Sequence, residues 1–153
     1  MRKKCKRVVR PLINPIAMAI EGAGISDKES LDKLRLRELA AIEAMAKGVG
    51  TRQEWQDLAD MCNLCESMAR AHIGIEALEA TETAQKALID VHARMAKTDG
   101  RMVLKAAELQ ALRDVFEYHD LQRSNVARSV YEAHIVKVTN KVKGGSKNVV
   151  FVG

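Results

Sequence analysis

From Ser26 to about Val136 the apolar side chains recur at three- and four-residue intervals, interrupted only by short glycine- or turn-rich joints. A chain patterned this way folds as packed helices. Ser26 with Glu29, and Thr51 with Glu54, have the S/T-x-x-E spacing in which a hydroxyl and a carboxylate cap a helix start reciprocally. Behind the first lie Leu31, Leu34, Leu39, Ile42 and Met45. Behind the second lie Trp55, Leu58, Cys62, Cys65, Ala69 and Ile73. Gly48 and Gly50 separate the two runs, which predicts an αα-hairpin. Gly74 marks a break, after which Ala77, Ala80, Ala84, Leu88, Val91 and Met95 continue to a turn at Lys97–Gly100. Val103 to Val136 then contain neither Gly nor Pro. Leu109, Leu112, Phe116, Val126, Val130 and Ala133 predict one long final helix there, about 45–50 Å in length.

Aromatic residues make up only 3% of the 153 residues, so the core has to be built from aliphatic side chains, Ala and Met. That composition suits closely packed helices better than a β-sandwich. The expected fold is all-α: a bundle of about four helices over residues 26–136, a basic irregular arm over 1–25, and a flexible basic tail with an apolar end over 137–153. At this size one core buries roughly two-thirds of the unfolded surface, without need of metal or disulfide. Three cysteines fit a reducing compartment better than a disulfide framework. The apolar run after the first cations is interrupted by Pro11, Asn14 and Pro15 and ends at Glu21, which suits neither a signal peptide nor a membrane span. A cytoplasmic location is expected.

The net charge of +5 is unevenly laid out. All 20 acidic residues lie between Glu21 and Glu132, where 15 basic residues leave a net of −5. Arg2, Lys3, Lys4, Lys6, Arg7 and Arg10 precede that stretch; Lys137, Lys141, Lys143 and Lys147 follow it. Cations on open segments follow a phosphate backbone without a folded site, so these ten are the candidate nucleic-acid contacts. With no aromatic residue inside either basic run, base stacking adds little. The alternative role for such ends is solubility, or contact with acidic proteins.

No local motif specifies a reaction. Cys62 and Cys65 form a C-x-x-C with no second pair of ligands, on the apolar face of a helix, where small thiols are ordinary core residues. Glu117–Asp120 contains acids and a histidine. His119, however, continues the Leu112–Phe116 stripe and reads as a core or interface residue. His72, His92 and His134 lack the E-x-x-H or H-E-x-x-H companions of metal sites. Gly48–Arg52 places glycines, the Thr51 hydroxyl and the Arg52 cation at a helix start, a weak anion-binding arrangement. As a DNA-reading helix the same element is poor, because Glu54, Asp57 and Asp60 accompany Arg52, Gln53 and Gln56.

The opening Met1–Lys4, the Asn14-Pro15 and Ala19–Gly22 that follow, the Gly50–Arg52 joint, and Ala111–Asp114 with His119-Asp120 resemble a group of small helical proteins of proteobacterial phages and prophages, some labelled transcription regulators. The resemblance implies a phage protein in the host cytoplasm, acting by binding in regulation or host-defence antagonism. It carries over no catalytic residue. The expected function is therefore non-enzymatic, without metal or cofactor, with nucleic acid or a host complex containing it as partner. The long helix further suggests a homodimer. The alternatives are an inhibitor that docks the long helix and apolar tail on a host protein, and a protein that sequesters an anionic signalling nucleotide.

Overall fold

The computed structural model describes residues 28–144, which form five α-helices and one 3₁₀ turn. They are α1 (Lys28–Ala46), α2 (Arg52–Arg70), a 3₁₀ turn (Ile75–Ala77), α3 (Leu78–Met95), α4 (Ala106–Ser124) and α5 (Arg128–Lys143). Ser26 and the basic residues Arg2, Lys3, Lys4, Lys6, Arg7, Arg10 and Lys147 lie outside the described residues. Among the described residues no helix is long and apolar enough to cross a membrane.

The all-α reading holds, and α2 explains how the bundle closes. Its buried residues, from Trp55 and Leu58 to Met68 and Ala69, lie on nearly every side. A helix apolar around most of its circumference belongs in the middle of a domain. Accordingly α1, α3, α4 and α5 all pack against α2. The expected capping box is present: Thr51 accepts the Gln53 N–H at 3.2 Å, while Glu54 accepts the Thr51 backbone N–H at 2.7 Å. Trp55 is buried because its indole N–H has a partner, the Leu88 carbonyl on α3 at 2.9 Å. Cys62 and Cys65 are buried thiols in the same core, as their helical register predicts.

Two corrections concern the C-terminal third. The expected single long helix is two helices, parted at Asn125–Ala127. Ser124 donates its hydroxyl to the Asp120 carbonyl at 2.6 Å, and the Asn125 amide donates to the Leu121 carbonyl at 2.8 Å. These side chains satisfy carbonyls that further helical turns would have used. Ala127 is then extended, and α5 starts in a new phase. As a result Tyr131 and Val138 face the body, whereas Val130 and Ala133, expected on the inner stripe, face outward. The second correction is that α5 continues to Lys143, so Lys137, Lys141 and Lys143 stand on helix and not on an irregular tail. Nothing after Val136 breaks a helix before Gly144, and Lys141 and Lys143 complement the negative end of its dipole.

The joints are tied together as well. Gly48, at φ 70°, turns the chain out of α1, and Gly50 forms a single antiparallel bridge with Met102 of the α3–α4 connection. A Cβ on Gly50 would run into the thioether of Met45, which is fully buried and has no room to withdraw. Gly50→Ala is expected to lower stability by about 1–3 kcal/mol, the usual cost of overpacking. Urea unfolding followed by circular dichroism measures it, and Gly100→Ser, which meets no atom within 4 Å but holds φ 78°, separates packing from backbone strain.

Candidate functional site

The largest group of polar side chains inside the body joins α1 to α4. Arg123 is completely buried, and its guanidinium donates to both carboxylate oxygens of Glu38, at 2.8 and 2.7 Å. Its third nitrogen donates to Asp120 at 3.1 Å. Asp120 accepts a second fork from Arg35 at 2.8 and 3.0 Å, and Arg35 goes on to Asp32 and to the Ser124 hydroxyl. Bidentate guanidinium–carboxylate geometry is the strongest neutral-pH pairing available to side chains. Burial pushes the Glu38 carboxyl up, and the Arg123 guanidinium opposes that shift. For Arg123, desolvation is outweighed by Glu38, so the guanidinium keeps its charge.

Next to this pair lies His119, also fully buried. Gln122 donates its amide to the carbonyls of Cys65 at 3.2 Å and Ile73 at 2.7 Å, which turns its own oxygen toward His119 Nδ1 at 3.1 Å. An amide oxygen only accepts, so Nδ1 carries the proton. Nε2 is left to accept from the Tyr131 hydroxyl at 3.5 Å. Burial and the Arg123 cation lower the imidazole pKa to about 4, so the ring is neutral. The cluster thus holds acids, a histidine and a tyrosine, yet every buried side-chain polar atom among the described residues has a partner. Its register explains why sequence periodicity passed over it. Glu38, not Leu39, completes the Leu31–Ile42–Met45 face; Leu39 is 45% exposed.

The remaining candidates are placed as follows. The thiols of Cys62 and Cys65 are pushed up by burial, Cys65 to about 11 despite a hydrogen bond from Thr81 at 3.3 Å. Such thiols are poor nucleophiles and poor ligands. Among the described residues no three His, Cys, Asp or Glu side chains converge as a metal site. His134 Nδ1 lies 2.8 Å from the Ser67 hydroxyl, tying α5 to α2, and among the described residues no carboxylate meets its other nitrogen. At the start of α2, Glu54 already occupies the Thr51 N–H and hydroxyl, so an anion approaching Thr51 and Arg52 meets a carboxylate. Gln53 and Gln56 are engaged by Asp57 and Asp60 at 3.0 Å each. Lys137 and Lys143 are exposed, and Lys141 is half-buried.

A cleft of about 260 Å³ opens beside the cluster. α1 and α5 both lie on α2 but scarcely touch each other, so a trough remains over α2 between them. Leu34, Met61, Leu64, Tyr131, Ile135 and Val138 form its apolar walls, while Arg37, Asp57 and Asp60 stand at one side. Arg37 pairs with Asp57; Asp60 receives the Gln56 amide. This is the most apolar opening on the body, and no sequence motif announced it, because its walls come from three helices. Comparisons with protein-family models, curated proteins and solved structures find no match to the chain.

His119 makes stability depend on pH in a defined direction. Its unfolded pKa of about 6.5 exceeds the folded value, so the unfolded state binds more protons between the two. The contribution is complete above about pH 6.5 and is lost as pH falls toward 4, up to roughly 3 kcal/mol. Urea unfolding at pH 7, 5.5 and 4.5 tests it: replacing His119 by Gln should flatten the fall over this window, and an unchanged profile would contradict the assignment.

Proposed function

We propose that the protein is a non-enzymatic binding protein that engages nucleic acid, or a host complex containing nucleic acid, through its basic ends. The observation that carries this reading is the distribution of charge. Residues 28–144 contain eighteen basic and eighteen acidic side chains, so the described body is neutral and the whole surplus of +5 falls on the segments flanking it. Within the body, the last turns of α5 continue that surplus: after Glu132 the chain has no acidic residue, and Lys137, Lys141 and Lys143 follow. Arg2, Lys3, Lys4, Lys6, Arg7 and Arg10 would supply most of the phosphate contacts, with Lys137, Lys141, Lys143 and Lys147 assisting. Positive charge without stacking aromatics supports recognition by charge and shape. Among the acid–base groups, His119 is sealed and already paired, which favours binding over catalysis. In a phage setting, which the sequence resemblance suggests, the role would be regulation or antagonism of host defence.

A second reading rests on α5. Val130, Ile135 and Val136 leave an apolar face on the outer helix, suited to a host protein or to a second copy in a homodimer. Sequestration of a nucleotide at Thr51 and Arg52 is less well supported, because Glu54 holds that helix end.

Contact with six to ten phosphates predicts a slope of log K against log salt of roughly −5 to −9 on duplex DNA. Fluorescence anisotropy from 50 to 300 mM salt reads it. Deleting residues 1–10 should reduce the slope by more than half; a flat dependence, or unchanged binding by the deletion variant, would contradict the proposal.

A further inference from the structure

We propose that the trough between α1 and α5 is the seat of this chain's own segment Pro11–Ile20. The trough's walls are Leu34, Met61, Leu64, Ile135 and Val138, with Tyr131 at its inner end, and nothing among the described residues covers them. Open apolar walls of this kind lose free energy to water at about 25 cal/mol for each Å². Pro11–Ile20 is the longest uncharged stretch of the sequence outside the described body, and Leu12, Ile13, Ile16, Met18 and Ile20 need an apolar surface as much as the trough needs a cover.

The connection has the right length. Seven residues, Glu21–Asp27, join this segment to α1 and include Gly22 and Gly24. Connections of about two to eight residues are what reverse a chain between neighbouring antiparallel elements. Leu34 lies six residues into α1, about 9 Å from its start at a rise of 1.5 Å per residue. A segment that doubles back after Gly22 therefore brings Ile20 and Ile16 alongside Leu31 and Leu34, and Ile13 and Leu12 alongside Arg37 and Glu38.

Charge points the same way. In that direction the chain next presents Arg10 and Arg7 to the side of the trough where Asp57 and Asp60 stand. Arg37 is the cation paired with Asp57, and the Asp60 carboxylate receives a side-chain hydrogen bond only from Gln56 among the described residues. The other terminal segment, Val149–Val152, is shorter and is preceded by a single cation, Lys147. The inference does not depend on what the basic arm binds. If the polyanion reading also holds, seating Pro11–Ile20 places Arg2–Arg7 on the side of the molecule where α5 carries Lys137 and Lys141, making one basic surface of two sequence-distant runs.

Hydrogen exchange of the full chain, read by mass spectrometry, tests this. Amides of residues 12–20 should exchange at least tenfold more slowly than in a free peptide of the same sequence, to the same degree at 1 and 50 µM protein. Ile16→Asp, which lies outside the described body and leaves its core intact, should restore the free-peptide rate in 12–20. Ile135→Asp on the opposing wall should do the same, with α2 amides unchanged as the check that the body is folded. Free-peptide exchange in the unaltered chain would overturn the proposal. So would protection that appears only at 50 µM, which would assign the trough to a second copy, or protection of 149–152 in place of 12–20. DNA affinity is not part of this readout, so loss of the polyanion reading would leave the result intact.

Discussion

A buried Arg123–Glu38 pair sets the terms on which the rest of this bundle packs. Two opposite charges removed from water cost several kcal/mol each before they attract one another, and they are tolerable only with close geometry and complete hydrogen bonding. Here both conditions are met: two short parallel contacts, and a third from Arg123 to Asp120. Asp120 carries its own fork from Arg35, so the charge chain leads outward from the core to the half-exposed face of α1. The pair fixes the register of α1 against α4 more narrowly than aliphatic contacts would. Replacing a guanidinium fork by a one-residue slip leaves an unpaired charge; slipping a leucine leaves a smaller penalty.

The same pair accounts for what the sequence disclosed and what it did not. Helical spacing located Trp55, Leu58, Cys62 and Cys65 on one face because each is apolar and each lies on a single unbroken helix. It misassigned Leu39, since a hydrophobic period counts leucines and passes over Glu38, whose burial depends on a partner 85 residues away. No local window contains that partner. The break at Asn125 was missed for a different reason. Neither Gly nor Pro marks it, and Ser124 and Asn125 act through side-chain bonds to carbonyls of the preceding turn, an ambiguous signal in a polar stretch. Once the helix restarts, every residue of α5 is rephased. Val130 and Ala133 turn outward, and Tyr131 comes in against His119.

The chemistry-bearing side chains of the body are thus largely consumed by its architecture. His119 is neutral, oriented by Gln122 and closed off from solvent; the thiols of Cys62 and Cys65 are held in their protonated form by burial. Charge that is free to meet a partner lies toward the ends of the chain, beginning with the last turns of α5. A neutral, well-connected platform with basic segments at its margins is the physical basis of the polyanion-binding proposal. The trough over α2 gives that platform a place to hold one of those segments.

The central claim, that the polar cluster is an architectural ion pair and not a reactive site, is tested most directly by a double-mutant cycle on Glu38 and Arg123. Glu38→Leu and Arg123→Met should each cost about 3–5 kcal/mol in urea unfolding, because each strands one buried charge. Together they should cost far less than the sum, giving a coupling of at least about 2 kcal/mol, while binding to DNA stays at the unaltered level. Additive losses, or loss of binding in a double variant that remains folded, would contradict it.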